Sequence, residues 1–425
     1  MGTTRTRVPL EDLRGIVGEG HVREVAGEDA VEGVAPQYVV EPGTIEEIGE
    51  VMKLADREGL KVAPRGGGTK TFLGNPPTGL DLVLSVARLN EIIEHVPGDQ
   101  VIRVQAGARL DDVQERLAGS NQMLALDPSE EGATIGGVVA TNSYGPRRLR
   151  YATVRDLIIG ITVVLPDGTV ARAGSKVVKN VAGYDLSKLL TGSLGTLGII
   201  ADANFRLHPI PETSGTVVVE LDGPEAAGEA VQNILHSQIL ASALELRWEG
   251  GSGTLALLIE NVEPAVEAQV EAAASLLRPH KEPEVLGAAE GSELIGSIRH
   301  LLDGDDVKLK IGFMPAGIAE VIGAVTGAAE RRGVAARMTG HAGNGLTFVG
   351  LSGADEEAHA GVVEELRAAL VPRGGNVVVQ RAPATLKRRV DAWGPVGDKL
   401  FLTRRIKEKF DPRGVLNPGR FVGGI

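Results

Sequence analysis

Leu60-Lys61-Val62-Ala63-Pro64-Arg65-Gly66-Gly67-Gly68-Thr69 carries a short apolar strand directly into three glycines. Glycine has no Cβ, so this backbone can approach a ligand closely and turn its amides towards one point, a geometry suited to a diphosphate. Neither the P-loop spacing G-x-x-x-x-G-K-[ST] nor the fingerprint G-x-G-x-x-G is present. Taken alone, the triplet fits a flexible turn as well. What precedes it adds context. Residues 38–42, Tyr-Val-Val-Glu-Pro, read as a strand, and Thr44 caps a helix running to about Glu58 with Glu46 and Glu47 in its first turn. Strand, helix, strand and glycine loop are the opening of an α/β nucleotide-binding domain.

Two further small-residue clusters follow. Asp127-Pro128-Ser129 leads into Thr134-Ile135-Gly136-Gly137-Val138-Val139-Ala140-Thr141-Asn142. Lys179-Asn180-Val181-Ala182-Gly183-Tyr184-Asp185-Leu186 leads into a glycine-rich run from Leu190 to Ile200. Each fits close packing of backbone on backbone, but three such clusters in one region are more than turns require. Around them, strands are expected at 82–86 and 101–106 and a helix at 109–118. A pair of strands over 157–173 is joined by Pro166-Asp167-Gly168.

Beyond Pro211 the pattern becomes regular in another way. Residues 215–221, 224–237, 242–248, 253–260 and 263–278 read strand, helix, strand, strand, helix. The same order recurs over 306–370, closed by a strand at 375–380. This predicts two tandem ferredoxin-like βαββαβ units whose strands join into one antiparallel sheet covered by helices. Residues 281–305 read as a loop with one short helix. From Asp391 a helix leads to Asp411-Pro412 and a Gly/Pro-rich tail.

Composition sets outer bounds. The 425 residues suit two or three domains, and 43% hydrophobic with 24% charged residues is an ordinary globular balance. A net charge of −12 argues against a general binder of nucleic acid or anionic membrane. Cysteine is absent, so this chain offers no disulfide, thiolate nucleophile or Cys-ligated iron–sulfur cluster. The N-terminus lacks a signal-peptide core and the apolar run near Leu157–Leu165 is too short to span a bilayer, so a cytoplasmic chain is expected, docked at most through partners to the inner face of a membrane.

The three clusters, together with Phe410-Asp411-Pro412-Arg413-Gly414-Val415-Leu416-Asn417-Pro418-Gly419-Arg420-Phe421, make the chain resemble the vanillyl-alcohol oxidase type of FAD-binding proteins. Within that type it is most similar to glycolate oxidase FAD-binding subunits and D-lactate dehydrogenases. The resemblance implies an α+β fold with a two-part FAD-binding domain and a cap of ferredoxin-like repeats. Its divisions would be a lead-in at 1–35, the FAD-binding domain at 36–211, a substrate cap at 212–390 and a C-terminal segment at 391–425 returning to the FAD domain. It implies that Pro64, Arg65, Gly66, Gly67, Gly68 and Thr69 hold the diphosphate, that Pro128, Thr134, Gly136, Gly137 and Asn142 line the cofactor, and that Ile200 meets it through its backbone.

Departures refine this. Relatives with covalent FAD carry a histidine in or just after the glycine loop, where this chain has Thr69 and Lys70, so a non-covalent FAD is expected. Many relatives carry a metal motif, GHxGDGNxH. Here Gly340-His341-Ala342-Gly343-Asn344-Gly345-Leu346-Thr347-Phe348 keeps the first histidine and has Phe348 at the second, so no catalytic metal is expected. The resemblance further implies oxidation of a small 2-hydroxy acid such as glycolate or D-lactate, with His341 as base and Lys308, Lys310 or Arg381 on the carboxylate. The alternatives are a non-catalytic flavin-bearing subunit of a glycolate oxidase complex, or a sugar or alditol oxidase. His341 also fits a histidine exposed on a hairpin, and the three cations fit a solvated sheet face. Lys179-Asn180 and Tyr184 could border the cofactor, and Arg147, Arg148 and Arg150 could meet phosphate or lie on the surface. With no cluster ligands in the chain, electrons would pass to a quinone, to dioxygen or to partners, which the family implies are a paralogous flavin subunit and an iron–sulfur subunit.

Overall fold

The computed structural model describes residues 8–174 and 185–425. Lys179, Asn180 and Tyr184 lie outside the described residues. The chain divides into two compact units: Met1–Tyr144 with Thr153–Ile210 and Pro395–Ile425, and Gly145–Ala152 with Pro211–Gly394. The FAD domain expected over 36–211 is therefore interrupted. Its residues 145–152 belong to the second unit, because Arg147 binds the buried Glu260 through Nε and Nη2 while Arg150 donates to the Glu260 carbonyl. Arg147 is thus an anchor within that unit rather than a bare surface charge.

The first unit begins with β1 (Val22–Glu24), β2 (Tyr38–Val40), β3 (Val62–Arg65) and β4 (Leu82–Ser85), arranged β1-β2-β4-β3. The helix Ile45–Glu58 connects β2 to β3. Thr44 Oγ1 caps it by accepting from the Glu47 N–H at 3.1 Å, and Ile48, Val51, Met52 and Ala55 form its buried stripe. β2 and β3 both run parallel to β4, as a strand–helix–strand crossover requires. A second sheet is antiparallel: β5 (Ile92–Val96), β6 (Val101–Gln105), β8 (Ile158–Val164), β9 (Val170–Gly174) and β10 (Ile199–Arg206), in the order β5-β6-β10-β8-β9. Sequence reading placed no strand at β5 and took the approach to β10 as glycine loop alone. β7 (Gln122–Met123) and β11 (His208–Pro209) form a small ribbon.

The C-terminal tail returns to the edge of β3. Val62 N–H donates to the Val415 carbonyl at 2.8 Å, and Asn417 N–H donates to the Val62 carbonyl at 2.9 Å. A buried knot fixes this tail. Lys407 Nζ donates to the carbonyls of Thr196 and Leu416 and to Asp411, whose carboxylate also accepts the N–H groups of Val415 and Leu416.

The second unit holds β12 (Thr213–Asp222), β13 (Ala243–Glu249), β14 (Ser252–Asn261), β15 (Glu284–Leu286), β16 (Val307–Gly312), β17 (Ala335–His341), β18 (Leu346–Ser352) and β19 (Asn376–Arg381). They form one antiparallel sheet, β15-β12-β14-β13-β17-β18-β16-β19. Each half has the ferredoxin-like order, and the halves meet in mirror order at the β13–β17 seam. Period-two burial sets the faces. Leu244, Leu246, Leu255, Leu257, Leu309, Ile311, Val349 and Val377 join the helices Pro224–Leu235, Glu263–Leu277, Ile318–Glu330 and Glu356–Leu370 in one core. Residues 281–305, expected as a loop with one short helix, instead contain β15 and the helix Ala288–His300, which packs Ile295 and Ile298 on Ala256 of the other sheet face. Leu257 is fully buried in the middle of the core. Leu257→Ala should cost about 2–5 kcal/mol, measured as a lowered denaturation midpoint.

Candidate functional site: a glycine-walled cleft and a seam histidine

In the first unit a cleft is lined by Pro64–Thr71 on one side, by Thr134, Gly136, Gly137, Thr141 and Ser143 on another, and by Leu194, Gly195, Ile199, Ile200, Asn417 and Arg420. Its walls come together through missing side chains. A methyl group on Gly66 would overlap Thr134 Oγ1, and one on Gly67 would overlap the Gly132 carbonyl. Gly67 N–H donates to Thr134 Oγ1 at 3.1 Å, and Gly68 has φ of +76°, in the left-handed region. Among the described residues, no acceptor takes the N–H groups of Gly66, Gly68 or Thr69. Asn417, 2% exposed, donates through Nδ2 to the Leu194 carbonyl at 2.7 Å, and its Oδ1 has no partner among the described residues.

Charges brace this loop from behind. Arg420 donates to the carbonyls of Thr71 and Leu73 at 2.5 and 2.6 Å, and its burial pulls the guanidinium down to about 10. Arg65 pairs with the buried Asp29 at 2.7 Å, so its guanidinium anchors the loop to the lead-in segment. Hydrogen bonding from Arg23 holds the Asp29 carboxyl well below the usual carboxylate range against the opposing effect of its burial, helped by the Ala26 N–H and by Arg65. Lys70, at the cleft wall, donates to Ser143 Oγ at 2.8 Å and pairs with Glu130 at 3.0 Å.

The site expected from sequence is thus partly assembled here. Pro64, Arg65, Gly66, Gly67, Gly68, Thr69, Thr134, Gly136, Gly137 and Ile200 line the cleft. Gly136 lies closely against Ala106, where a Cβ would sit 2.7 Å from that side chain. Pro128 and Asn142 do not line it. Asn142 is the left-handed cap of the helix Ile135–Thr141, with its N–H turned back to the carbonyls of Val138 and Val139, and Pro128 belongs to the connection leading down to Gly132. Sequence reading missed Thr71, Thr141, Ser143, Leu194, Gly195, Asn417 and Arg420 as lining residues. The shared tail motif containing Asn417 and Arg420 was the available signal.

In the second unit, His341 ends β17 and is 5% exposed, not displayed on an open hairpin. Its Nδ1 lies 2.7 Å from Glu245 Oε1 on the facing strand β13. Phe348 meets the imidazole edge-on, with ring centroids 5.7 Å apart and an interplanar angle of 87°. Lys308 Nζ stands 5.5 Å from the Phe348 ring centroid, and Lys310 is the direct cross-strand neighbour of Phe348. Alternation on β13, β16, β17 and β18 places Glu245, His341, Phe348, Lys308 and Lys310 on the sheet face opposite the main core. Arg381 is exposed at the end of β19, in register with Lys308. Among the described residues, no three of His, Cys, Asp or Glu gather as a metal-binding group.

A glycine-walled cleft with unused backbone amides and a buried cation in its wall fits the diphosphate of a dinucleotide, and with the two-sheet domain around it defines a flavoprotein. Comparison with known proteins agrees. Residues 36–174 match the FAD binding domain, and residues 307–421 match the C-terminal domain of FAD linked oxidases. The glycolate oxidase subunit GlcD of Bacillus subtilis is 28% identical over 91% of this chain and 88% of its own length, and a D-lactate dehydrogenase of Archaeoglobus fulgidus is 29% identical over 90% and 91%. The glycolate oxidase subunit GlcE of Escherichia coli is 35% identical over 45% of this chain and 56% of its own length. The crystal structure of p-cresol methylhydroxylase superposes with a TM-score of 0.75 at 16% identity, covering 97% of this chain and 95% of that one. The chain is an FAD-linked oxidoreductase with the vanillyl-alcohol oxidase type of fold. Among its described residues, no helix is long and apolar enough to cross a membrane.

Two outcomes follow. Gly67→Ala drives a methyl group into the Gly132 carbonyl, so the purified variant should keep its secondary structure by circular dichroism yet lose most of its flavin absorbance relative to protein. The Asp29 carboxyl is depressed in the folded state, so its stabilisation is complete above the unfolded value, about 4, and is lost as pH falls below it. The wild-type melting temperature should fall on acidification below about pH 4, and Asp29→Asn, already lacking this contribution, should fall less steeply over the same range.

Proposed function

We propose that this chain oxidises a small 2-hydroxy acid of the glycolate or D-lactate kind. The observation that carries the proposal is the buried His341 on one sheet face with Lys308 and Lys310, in a chain whose other unit is an FAD-binding domain. Bound FAD supplies the acceptor for the hydride leaving C2. The chain's own residues do the rest. His341 takes the hydroxyl proton, because loss of hydride from C2 is favoured as the oxygen loses its proton. Lys310, with Lys308 and Arg381, attracts the substrate carboxylate and fixes which hydrogen is presented. Phe348 keeps the imidazole against an apolar surface, where the relatives' motif has a second histidine.

The cofactor is held without a covalent bond. Lys70 is engaged with Ser143 and Glu130, and Thr69 offers no ring nitrogen for a flavin tether. With no cysteine to ligate a cluster, the chain works in a complex with a paralogous flavin subunit and an iron–sulfur subunit that carries electrons onward. The relatives called glycolate oxidase subunits support this reading. Phe348 also favours a second reading, in which the chain is a non-catalytic flavin-bearing subunit beside a catalytic relative.

One experiment separates the two. The purified chain is mixed anaerobically with glycolate or D-lactate and its flavin absorbance near 450 nm is followed. Bleaching without a partner is expected, with His341→Gln slowing it by about 10²–10⁴-fold. A yellow protein that neither acid bleaches would establish the second reading instead. Acid precipitation should release the flavin into the supernatant, and flavin remaining with the pellet would refute non-covalent binding.

A further inference from the structure

We infer that Glu245 is a positioning residue that fixes the tautomer of His341, so that the proton-transfer group is assembled across the seam between the two ferredoxin-like repeats. The inference rests on the proposed role of His341. Glu245 comes from the first repeat and His341 from the second, and they are direct cross-strand partners where β13 meets β17. Both are buried, at 2% and 5% exposure, with Oε1 and Nδ1 2.7 Å apart. An ionised carboxylate only accepts hydrogen bonds, so the proton of a neutral imidazole sits on Nδ1 and the basic lone pair is left on Nε2. When Nε2 gains a proton, the adjacent carboxylate stabilises the imidazolium that results.

Two features argue against a pair kept for packing alone. Desolvating a carboxylate and an imidazole in a sheet is costly, and two apolar side chains would serve the seam at least as well. The backbone is also specialised to deliver the ring. Gly340, immediately before His341, has φ of +152°, and a Cβ there would lie 2.7 Å from both the Leu346 carbonyl oxygen and Thr347 Cα. That position admits only glycine and turns the strand just where the histidine leaves it. Other charged groups on this face include Arg247 paired with Glu249 on β13, Glu220 and Asp222 on β12 paired with Lys281, Glu260 on β14, Arg337 on β17 paired with Asp305, Lys308 and Lys310 on β16, and Arg381 on β19. Within the same unit, the helix over this face adds Glu290, Glu293 and His300, and the segment 145–152 adds Arg147, Arg148 and Arg150, of which Arg147 pairs with Glu260. Glu245 is the carboxylate bonded to the imidazole.

The test uses the FAD-loaded full chain as wild type, Glu245→Gln, Glu245→Asp and His341→Gln. Flavin content and circular dichroism establish that each variant is folded. Anaerobic flavin reduction by glycolate or D-lactate is followed across pH, and the His341 ring is observed by ¹⁵N NMR, assigned from the signal missing in His341→Gln. Glu245→Gln is expected to lower the limiting reduction rate about 10–100-fold. Glu245→Asp, which keeps a carboxylate, should recover part of the rate. Wild-type His341 should carry its proton on Nδ1 when neutral. A rate unchanged in Glu245→Gln, with His341→Gln inactive, would overturn the positioning role and leave the base intact. If His341→Gln also reduces normally, the proposed role of His341 fails and the inference with it. An Nε2-protonated neutral ring in the wild type overturns the inference whatever the kinetics, and this readout stands even if Glu245→Gln does not fold.

Discussion

The close approach of Gly66 and Gly67 to Gly132 and Thr134 is the constraint on which the first unit depends. The two segments can touch only because no Cβ stands between them. That contact draws the loop after β3 against the start of the helix Ile135–Thr141, and the cleft is the space left where they diverge. The loop then turns through Gly68, with backbone amides left for a ligand. A loop of this kind has little packing of its own. Its rigidity is supplied from elsewhere: Arg65 on Asp29 at one end, and Arg420 on the carbonyls of Thr71 and Leu73 at the other.

Segments far apart in the chain therefore act as one support. The lead-in supplies Asp29, and the tail supplies Asn417 and Arg420. The Lys407–Asp411 knot ties the tail both to itself and to the carbonyl of Thr196, in the glycine-rich run that lines the cleft. Buried ion pairs of this type contribute little net energy compared with apolar packing, but removing one partner strands the other. Their value here is geometric, since they set where a flexible loop lies.

The second unit solves a different problem. A single ferredoxin-like unit offers one apolar sheet face to its helices and leaves the other exposed. Joining two units edge to edge at β13 and β17 makes a broad sheet whose second face is partly covered by the helix Ala288–His300. The rest carries Glu245, His341, Phe348, Lys308 and Lys310. Cross-strand pairing, not sequence proximity, brings these residues together.

The sequence by itself determined most of the elements and their type, though not β5, β15 or the full helix Ala288–His300. Period-two and period-3.6 apolar patterns marked the repeats, Thr44 marked a helix start, and the glycine clusters marked the cofactor loop, because these signals are local. Gly66, Gly67 and Thr134 were legible as residues of the cleft for the same reason. The tertiary structure decided what depends on long-range pairing. It made 145–152 part of the second unit, made Asn142 the left-handed cap of the helix Ile135–Thr141, brought Arg420 onto the carbonyls of Thr71 and Leu73, and put Glu245 opposite His341, 96 positions apart in the sequence. No local pattern carries such information. It arises from strand register and from burial, which are properties of the folded chain as a whole.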